Sequence, residues 1–278
     1  MQRLPVKNIV LACAGLALAG CAVAPAAAPG SALVIPLDHL PVLTGQYFPI
    51  DSRETGHLYH IYISYPEGYG EQRAKRFPAL YILDGDSLFP HLASNQRFLH
   101  YDDDVPGMLV VGIAYGSFEP PQNRRRHDFT VGADAFGRFL ENELIPRVEQ
   151  SVRADPARRM LLGQSRGGGF VLHSAFTRPD LFWGRIASNP TVDLLPSLLA
   201  APAPASRRDL HLLVASGSLD DPQYANARAD WLGRWTGRND LPWTFRSETI
   251  EGGTHAADSA RAHRLAMRWL FRAGPAAK

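Results

Sequence analysis

The sequence predicts one α/β domain, with a mostly parallel central sheet and helices on both faces. Three observations point there. Compact apolar runs at 77–83, 108–114 and 210–215 suit strands buried on both faces, and 158–163 reads as a further strand leading into a glycine-rich turn. Stretches with helical spacing fall between several of them, and strand–helix alternation implies a parallel sheet. The chain has 278 residues, 45% hydrophobic and 20% charged, which is enough for one large core and too apolar for disorder. No period of 20–50 residues is visible, so a solenoid is not expected.

The amino terminus reads separately from the domain. Arg3 and Lys7 precede an apolar run, Asn8 to Gly20, too short to span a bilayer comfortably. That is the form of a secretory signal peptide. Leu18-Ala19-Gly20-Cys21 resembles the lipobox of bacterial lipoproteins. In that family the cysteine is diacylated, the chain is cut before it, and the new terminus is acylated. The resemblance implies a signal peptide over 1–20, a lipidated Cys21 and a bacterial envelope location. Ala22 after the cysteine resembles outer-membrane sorting, with the domain facing the periplasm. Several acyl chains make such anchoring stable. Residues 21–40, rich in Ala and Pro, then form a tether, and 41–278 the domain. With Cys13 discarded and Cys21 acylated, no thiol remains for a disulfide or a nucleophile. Without residues 1–20 the chain has 27 basic and 27 acidic residues, so nucleic-acid binding has no global electrostatic support.

The domain opens with two strands, 46–51 and 57–65. The second alternates Leu58, His60 and Tyr62 against Tyr59, Ile61 and Ile63. Turn chemistry at Pro66-Glu67-Gly68-Tyr69-Gly70 ends it, and an antiparallel start is expected. The run 77–83 ends in Asp84-Gly85-Asp86, which by itself reads as an ordinary Asp-Gly turn and alternatively as a place where glycine permits close backbone approach to a ligand. After 108–114 comes a polar, arginine-rich stretch containing Arg124-Arg125-Arg126-His127-Asp128. Its guanidinium groups suit either a solvated loop or an anionic part of a substrate, with Arg125 and Arg126 the candidates for the latter. Residues 133–152 read as one amphipathic helix, with Phe136, Phe139, Leu140, Leu144, Val148 and Val152 inward. Further strands are expected at 182–188, 210–215 and 243–250, helices at 225–236 and 259–272, and a surface loop at 196–204.

The chemistry centres on Leu161-Leu162-Gly163-Gln164-Ser165-Arg166-Gly167-Gly168-Gly169. A strand-like run, G-x-S-x-G and an apolar helical stretch form the sequence pattern of a nucleophile elbow. The serine sits at the tip of a tight turn, and side chains two residues either side would collide with strand and helix. Its hydroxyl then lies at a helix N-terminus, which favours developing negative charge. A serine of this kind needs a base and an acid. An acid after a late strand is available in Asp220 or Asp221, with Asp220 preferred. His255 follows the last strand in Glu251-Gly252-Gly253-Thr254-His255, completing the order Ser, Asp, His. The other histidines form no metal-ligand spacing, and no Walker or dinucleotide pattern occurs. No metal or organic cofactor is therefore expected.

Four stretches carry a family resemblance: 57–64 with Pro66-Glu67-Gly68-Tyr69, Leu80 to Gly85, Arg125 to Thr130, and Leu161 to Gly168 with Arg178-Pro179-Asp180-Leu181-Phe182. The chain resembles the putative-esterase branch of the α/β-hydrolases, which holds siderophore esterases, feruloyl esterases and mycolyltransferases. The resemblance implies a serine carboxylic-ester hydrolase acting through an acyl-enzyme on a small-molecule ester, with an acyltransferase of the same fold or a non-catalytic binding lipoprotein as alternatives. Carried over by position, Ser165 is the nucleophile, His255 the base and Asp220 the acid. The backbone N–H groups of Arg166 and Asp86 match the oxyanion donors. Two departures stand out. Position 166 is usually apolar in relatives and is arginine here. Ser188-Asn189-Pro190-Thr191 lacks the tryptophan that often follows in siderophore esterases.

Overall fold

A computed structural model describes Leu40 and residues 44–272. The signal peptide, the lipobox and all but the last residue of the tether fall outside the described residues. Eight strands form one sheet: β1 (Gly45–Ser52), β2 (His57–Ser64), β3 (Phe77–Ile82), β4 (Leu109–Ala114), β5 (Ala154–Gln164), β6 (Gly184–Ser188), β7 (Leu210–Gly217) and β8 (Trp243–Ile250). Their spatial order is β1-β2-β4-β3-β5-β6-β7-β8. The first two pairings, β1–β2 and β2–β4, are antiparallel. All the others are parallel.

The helices are α1 (Gly85–Asp102), α2 (Arg125–Asp128), α3 (Ala133–Phe139), α4 (Ile145–Ser151), α5 (Arg166–Thr177), α6 (Pro222–Trp235) and α7 (Ser259–Arg272). Strand alternation decides which of them each side chain meets. In β3, Ala79 and Tyr81 point into the larger core with Phe136, Phe139, Phe170 and Trp231. Leu80 and Ile82 point the other way, onto Phe89 and Leu92 of α1 and Ala266 and Leu270 of α7. The sheet is thus covered on both faces, as expected.

Two helices differ from the sequence reading. The expected single helix over 133–152 is α3 and α4 joined by a π-helical turn, Leu140–Leu144. Pro146 explains it: proline has no N–H for the carbonyl four residues back, and its ring crowds that carbonyl, so the turn widens. Helix α1 occupies a stretch to which no element is assigned on sequence grounds. It carries Pro90, and polar residues interrupt its buried face of Phe89, Leu92, Ala93, Gln96 and Leu99, so only a weak apolar stripe announces it. Residues 196–204 are not wholly a surface loop, because Leu198 is fully buried beneath a short 3-10 turn.

The order of connections matters for function. From β3 the chain moves outward to β4, then returns across to β5 on the other side of β3. The carboxyl ends of β3 and β5 therefore flank a topological switch point, where ligands bind in open α/β sheets. Helix α5 leaves β5 from that point. Its far end is locked by Arg185, buried to 1% exposure, whose guanidinium donates to the carbonyls of Arg178 at 2.6 Å, Phe182 at 2.8 Å and Pro179 at 3.0 Å. Burial pulls this arginine down to about 9, still charged at neutral pH.

One buried base makes stability pH-dependent. His263 on α7 is fully enclosed, with Nδ1 accepting from Asn95 Nδ2 at 3.1 Å and no partner for Nε2. Burial, and secondarily His91, pulls it down to about 3, against 6.5 for an ordinary imidazole. The unfolded chain therefore binds one more proton than the folded one between those values. The expected outcome is a contribution to unfolding free energy that is complete above pH 6.5 and falls by about 1.4 kcal/mol per pH unit below it. Urea denaturation of wild type and His263→Gln between pH 6.5 and 4.5 measures it. Parallel pH dependence in the two proteins would refute the assignment.

Candidate active site

The elbow is strained as its sequence requires. Ser165 has φ 56° and ψ −116°, a conformation costly for any residue with a Cβ. Neighbouring hydrogen bonds over-determine it. Ser165 N donates to Ser188 O at 2.9 Å, and Ser165 O accepts from Gly169 N at 2.9 Å and Thr191 N at 3.1 Å. At Gly163 a Cβ would lie 2.4 Å from the Gly167 carbonyl, so only glycine lets the strand and helix meet. Gly85 is likewise required by the sheet, since a Cβ there would lie 2.8 Å from the Ile113 backbone of β4, and it also lines the hollow beside the cleft.

Three side chains from three loops meet. His255 Nε2 lies 2.8 Å from Ser165 Oγ, and His255 Nδ1 lies 2.8 Å from Asp220 Oδ1. The carboxylate beside Nδ1 places the ring proton there, leaving Nε2 to accept from the serine hydroxyl. The Asp220 side chain is wholly buried, and that of His255 is 27% exposed. Asp221, the other candidate, points elsewhere. It caps α6, accepting from Gln223 N at 2.8 Å.

A residue that sequence reasoning missed as functional ties these loops together. Asn189 is fully buried, at φ 41°. Its Oδ1 accepts from Gly217 N at 2.7 Å, at the end of the strand leading to Asp220. Its Nδ2 donates to the carbonyls of Thr254 and His255, each at 3.0 Å. Gln164, immediately before the serine, also donates to the His255 carbonyl. The signal available in the sequence was Asn-Pro directly after a buried strand, a turn pattern at the carboxyl edge of the sheet.

The cleft beside Ser165 holds about 370 Å³ and is lined by Asp86, Phe118, Arg125, Gln164 and His255 among others. A neighbouring hollow of about 350 Å³ shares Asp86 and Phe118 and runs over Tyr62, Phe89 and Pro90. The Asp86 carboxylate accepts from Tyr115 N at 2.8 Å and Gly116 N at 2.7 Å, fastening the exit of β4. The N–H groups of Asp86 and Arg166 lie in the first turns of α1 and α5, where backbone donors have no intrahelical acceptor.

The arginines sort by partner. Arg125 lines the cleft, but its guanidinium grips Asp84 with two bonds, of 2.7 and 3.0 Å. Burial works against its charge, and the Asp84 pair outweighs it, so Arg125 is held above the usual arginine range. It serves as a brace rather than a free anion receptor. Arg126 is exposed and is not among the cleft's lining residues. Arg166 is half-buried and forms no ion pair among the described residues. Partial burial, then repulsion from Arg125 and Arg126, lowers it. Below the loop, buried Asp128 accepts from Tyr59 Oη at 2.7 Å and Tyr115 Oη at 3.3 Å, so it braces the turn.

Comparison with known proteins bears on this site. The family model described as "Putative esterase" matches residues 52–270. The chain belongs to that esterase family. Its sequence is 31% identical over 166 residues to the ferri-bacillibactin esterase BesA of Bacillus subtilis, covering 51% of this chain and 57% of that protein. It is 30% identical over 171 residues to the siderophore triacetylfusarinine C esterase of Aspergillus fumigatus, covering 55% and 58%. The alignments thus span under three-fifths of either relative's length. Among solved structures, siderophore hydrolase EstB from Aspergillus nidulans superimposes with a TM-score of 0.72 at 22% identity, over 84% of this chain and 96% of that one. The fold is that of the α/β-hydrolases, and this esterase-family chain keeps a serine, a histidine and a buried acid in contact within it.

Asn189→Ala removes three hydrogen bonds from a buried junction. The expected cost is about 2–3 kcal/mol of stability and a loss of roughly tenfold or more in the rate at which a fluorophosphonate labels Ser165. Chemical denaturation and timed labelling measure the two. Unchanged labelling in a folded variant would show that the junction does not position the site.

Proposed function

We propose that this protein is a serine carboxylic-ester hydrolase that acts through an acyl-enzyme, and that its substrates are siderophore-type esters. One observation carries the reading: the unbroken chain from Ser165 Oγ through His255 to Asp220, with both contacts at 2.8 Å, in a strained elbow that opens on a cleft. His255 takes the hydroxyl proton as Oγ attacks the ester carbonyl. Asp220 holds the ring tautomer and balances the imidazolium. The Arg166 and Asp86 N–H groups receive the tetrahedral oxyanion, and a single such donor is worth about 3–4 kcal/mol. His255 then protonates the leaving alcohol, and water repeats the cycle on the acyl-enzyme. The named activities of the two siderophore esterases above support the substrate class. So does Arg166, a cation next to the nucleophile with no carboxylate of its own, which suits an anionic substrate.

The expected outcome of Ser165→Ala is loss of hydrolysis of p-nitrophenyl esters and of a trilactone siderophore, with the fold intact by circular dichroism. Asp220→Asn should lower kcat by up to about 10⁴-fold, while Asp221→Asn, which alters only a helix cap, should stay near wild type. Turnover by Ser165→Ala at the wild-type rate would overturn the assignment, and equal small losses in the two aspartate variants would make the site a Ser–His dyad.

The lipobox-like Leu18-Ala19-Gly20-Cys21 supports an anchored location in a bacterial envelope, with the outer membrane as the compartment. Expressed with its full leader, the protein should incorporate labelled palmitate and sediment with membranes. Cys21→Ala should do neither. Palmitate incorporation by Cys21→Ala would remove this part of the proposal.

A further inference from the structure

The acid of the site has a second partner. Arg228 Nη2 lies 2.8 Å from Asp220 Oδ2, an ion pair in which the arginine side chain is 3% exposed and the aspartate 0%. The opposite oxygen, Oδ1, accepts from His255 Nδ1 at 2.8 Å and from Asp221 N at 2.7 Å. The two ends of the carboxylate thus face different partners: Oδ1 is hydrogen-bonded, whereas Oδ2 is held by charge alone, its contact with Arg228 being an ion pair without hydrogen-bond geometry. One turn before Arg228 on the same helix, the Tyr224 ring stacks on the His255 ring, with centroids 4.7 Å apart and planes at 27°. Residues four apart share one face of a helix, so one face of α6 touches both the acid and the base. The register of α6 is itself fixed by its cap, Asp221, the residue directly after Asp220.

We propose that Arg228 is a positioning residue for catalysis: from α6 it pins the far oxygen of Asp220, and so aims the near oxygen at His255. This rests on the serine-hydrolase reading above. A carboxylate buried this deeply needs a counter-charge, and a cation held by packing supplies one that does not come and go with the proton on His255. Without it, Asp220 can turn its charge away from the ring. His255 then loses its orientation toward Ser165, while the cleft that binds substrate is untouched. A positioning defect of this kind appears in kcat and leaves KM alone.

The test uses the mature protein and a p-nitrophenyl ester, with Ser165→Ala as the reference for the reaction itself. Arg228→Met should lower kcat by about 10²-fold, the cost of a misplaced catalytic group, with KM within about twofold of wild type. Arg228→Lys, which keeps the cation, should recover to within about tenfold of wild type. In an Asp220→Asn background, Arg228→Met should cost less than about threefold more, because the interaction it served is already gone. A role confined to stability would give losses that multiply instead. Thermal melts separate folded from unfolded variants. If Arg228→Met does not fold, Arg228→Gln, which removes the charge and keeps a polar side chain, and its double variant with Asp220→Asn carry the same comparison. Multiplying losses, or a folded Arg228→Met with wild-type kcat, would overturn this inference while leaving the esterase reading in place. Hydrolysis that survives Ser165→Ala would instead overturn that reading.

Discussion

The side-chain amide of Asn189 is the junction on which the site depends. Three segments far apart in sequence converge on it. The loop that follows β6 supplies Asn189 itself, and its neighbours receive the backbone of Ser165. The amide oxygen holds the end of β7, from which the acid departs. The amide nitrogen holds the carbonyls of the histidine loop. An apolar residue there would take the partner from Gly217 N and the Thr254 carbonyl, at a cost of about 1–3 kcal/mol for a group left buried and unpaired, and would leave the His255 carbonyl with Gln164 alone. The parallel sheet brings the loops to one edge, and this amide turns proximity into geometry.

The same edge concentrates electrostatic potential. Helices α1 and α5 both begin at the switch point between β3 and β5, so their positive ends converge on the cleft. The strain at Ser165 follows from that convergence, because the chain must reverse from strand to helix within one residue. The cost of the strain is met outside the elbow, by the packing of α5 and the lock of Arg185 at its far end. A site built in this way resists drift, since movement of the serine would have to unseat the whole helix.

How much of this could be read in advance divides along physical lines. Strands buried on both faces were legible because apolar residues dominate them, as in β4, where all six residues are apolar and buried. The elbow was legible because sterics dictate its glycines. The order Ser165, Asp220, His255 was legible because topology fixes which strand ends can meet. Helix α1 was not, because Pro90 and a weak apolar stripe hide it. The role of Asn189 was not, because a turn asparagine and a buried bracing asparagine look alike until their partners are placed. Arg228 lies on a helix of mixed polarity, where an arginine would ordinarily face water.

Arginine explains more of this protein than its net charge does. Lysine occurs only at positions 7, 75 and 278. The positions that need a cation need a planar fork. Arg125 takes both oxygens of Asp84, Arg159 takes both oxygens of Glu149, and Arg185 spreads over the carbonyls of Arg178, Pro179 and Phe182. A lysine ammonium is a point charge on a flexible stem and could satisfy none of these geometries. Each of these arginines is neutralised or fully bonded, and so is structural. Arg166 is the exception beside the nucleophile: half-buried, near two other guanidinium groups, and not spent on any carboxylate among the described residues. That contrast is what the proposed anionic substrate rests on: the paired forks hold the scaffold, and Arg166 keeps its charge available at the cleft.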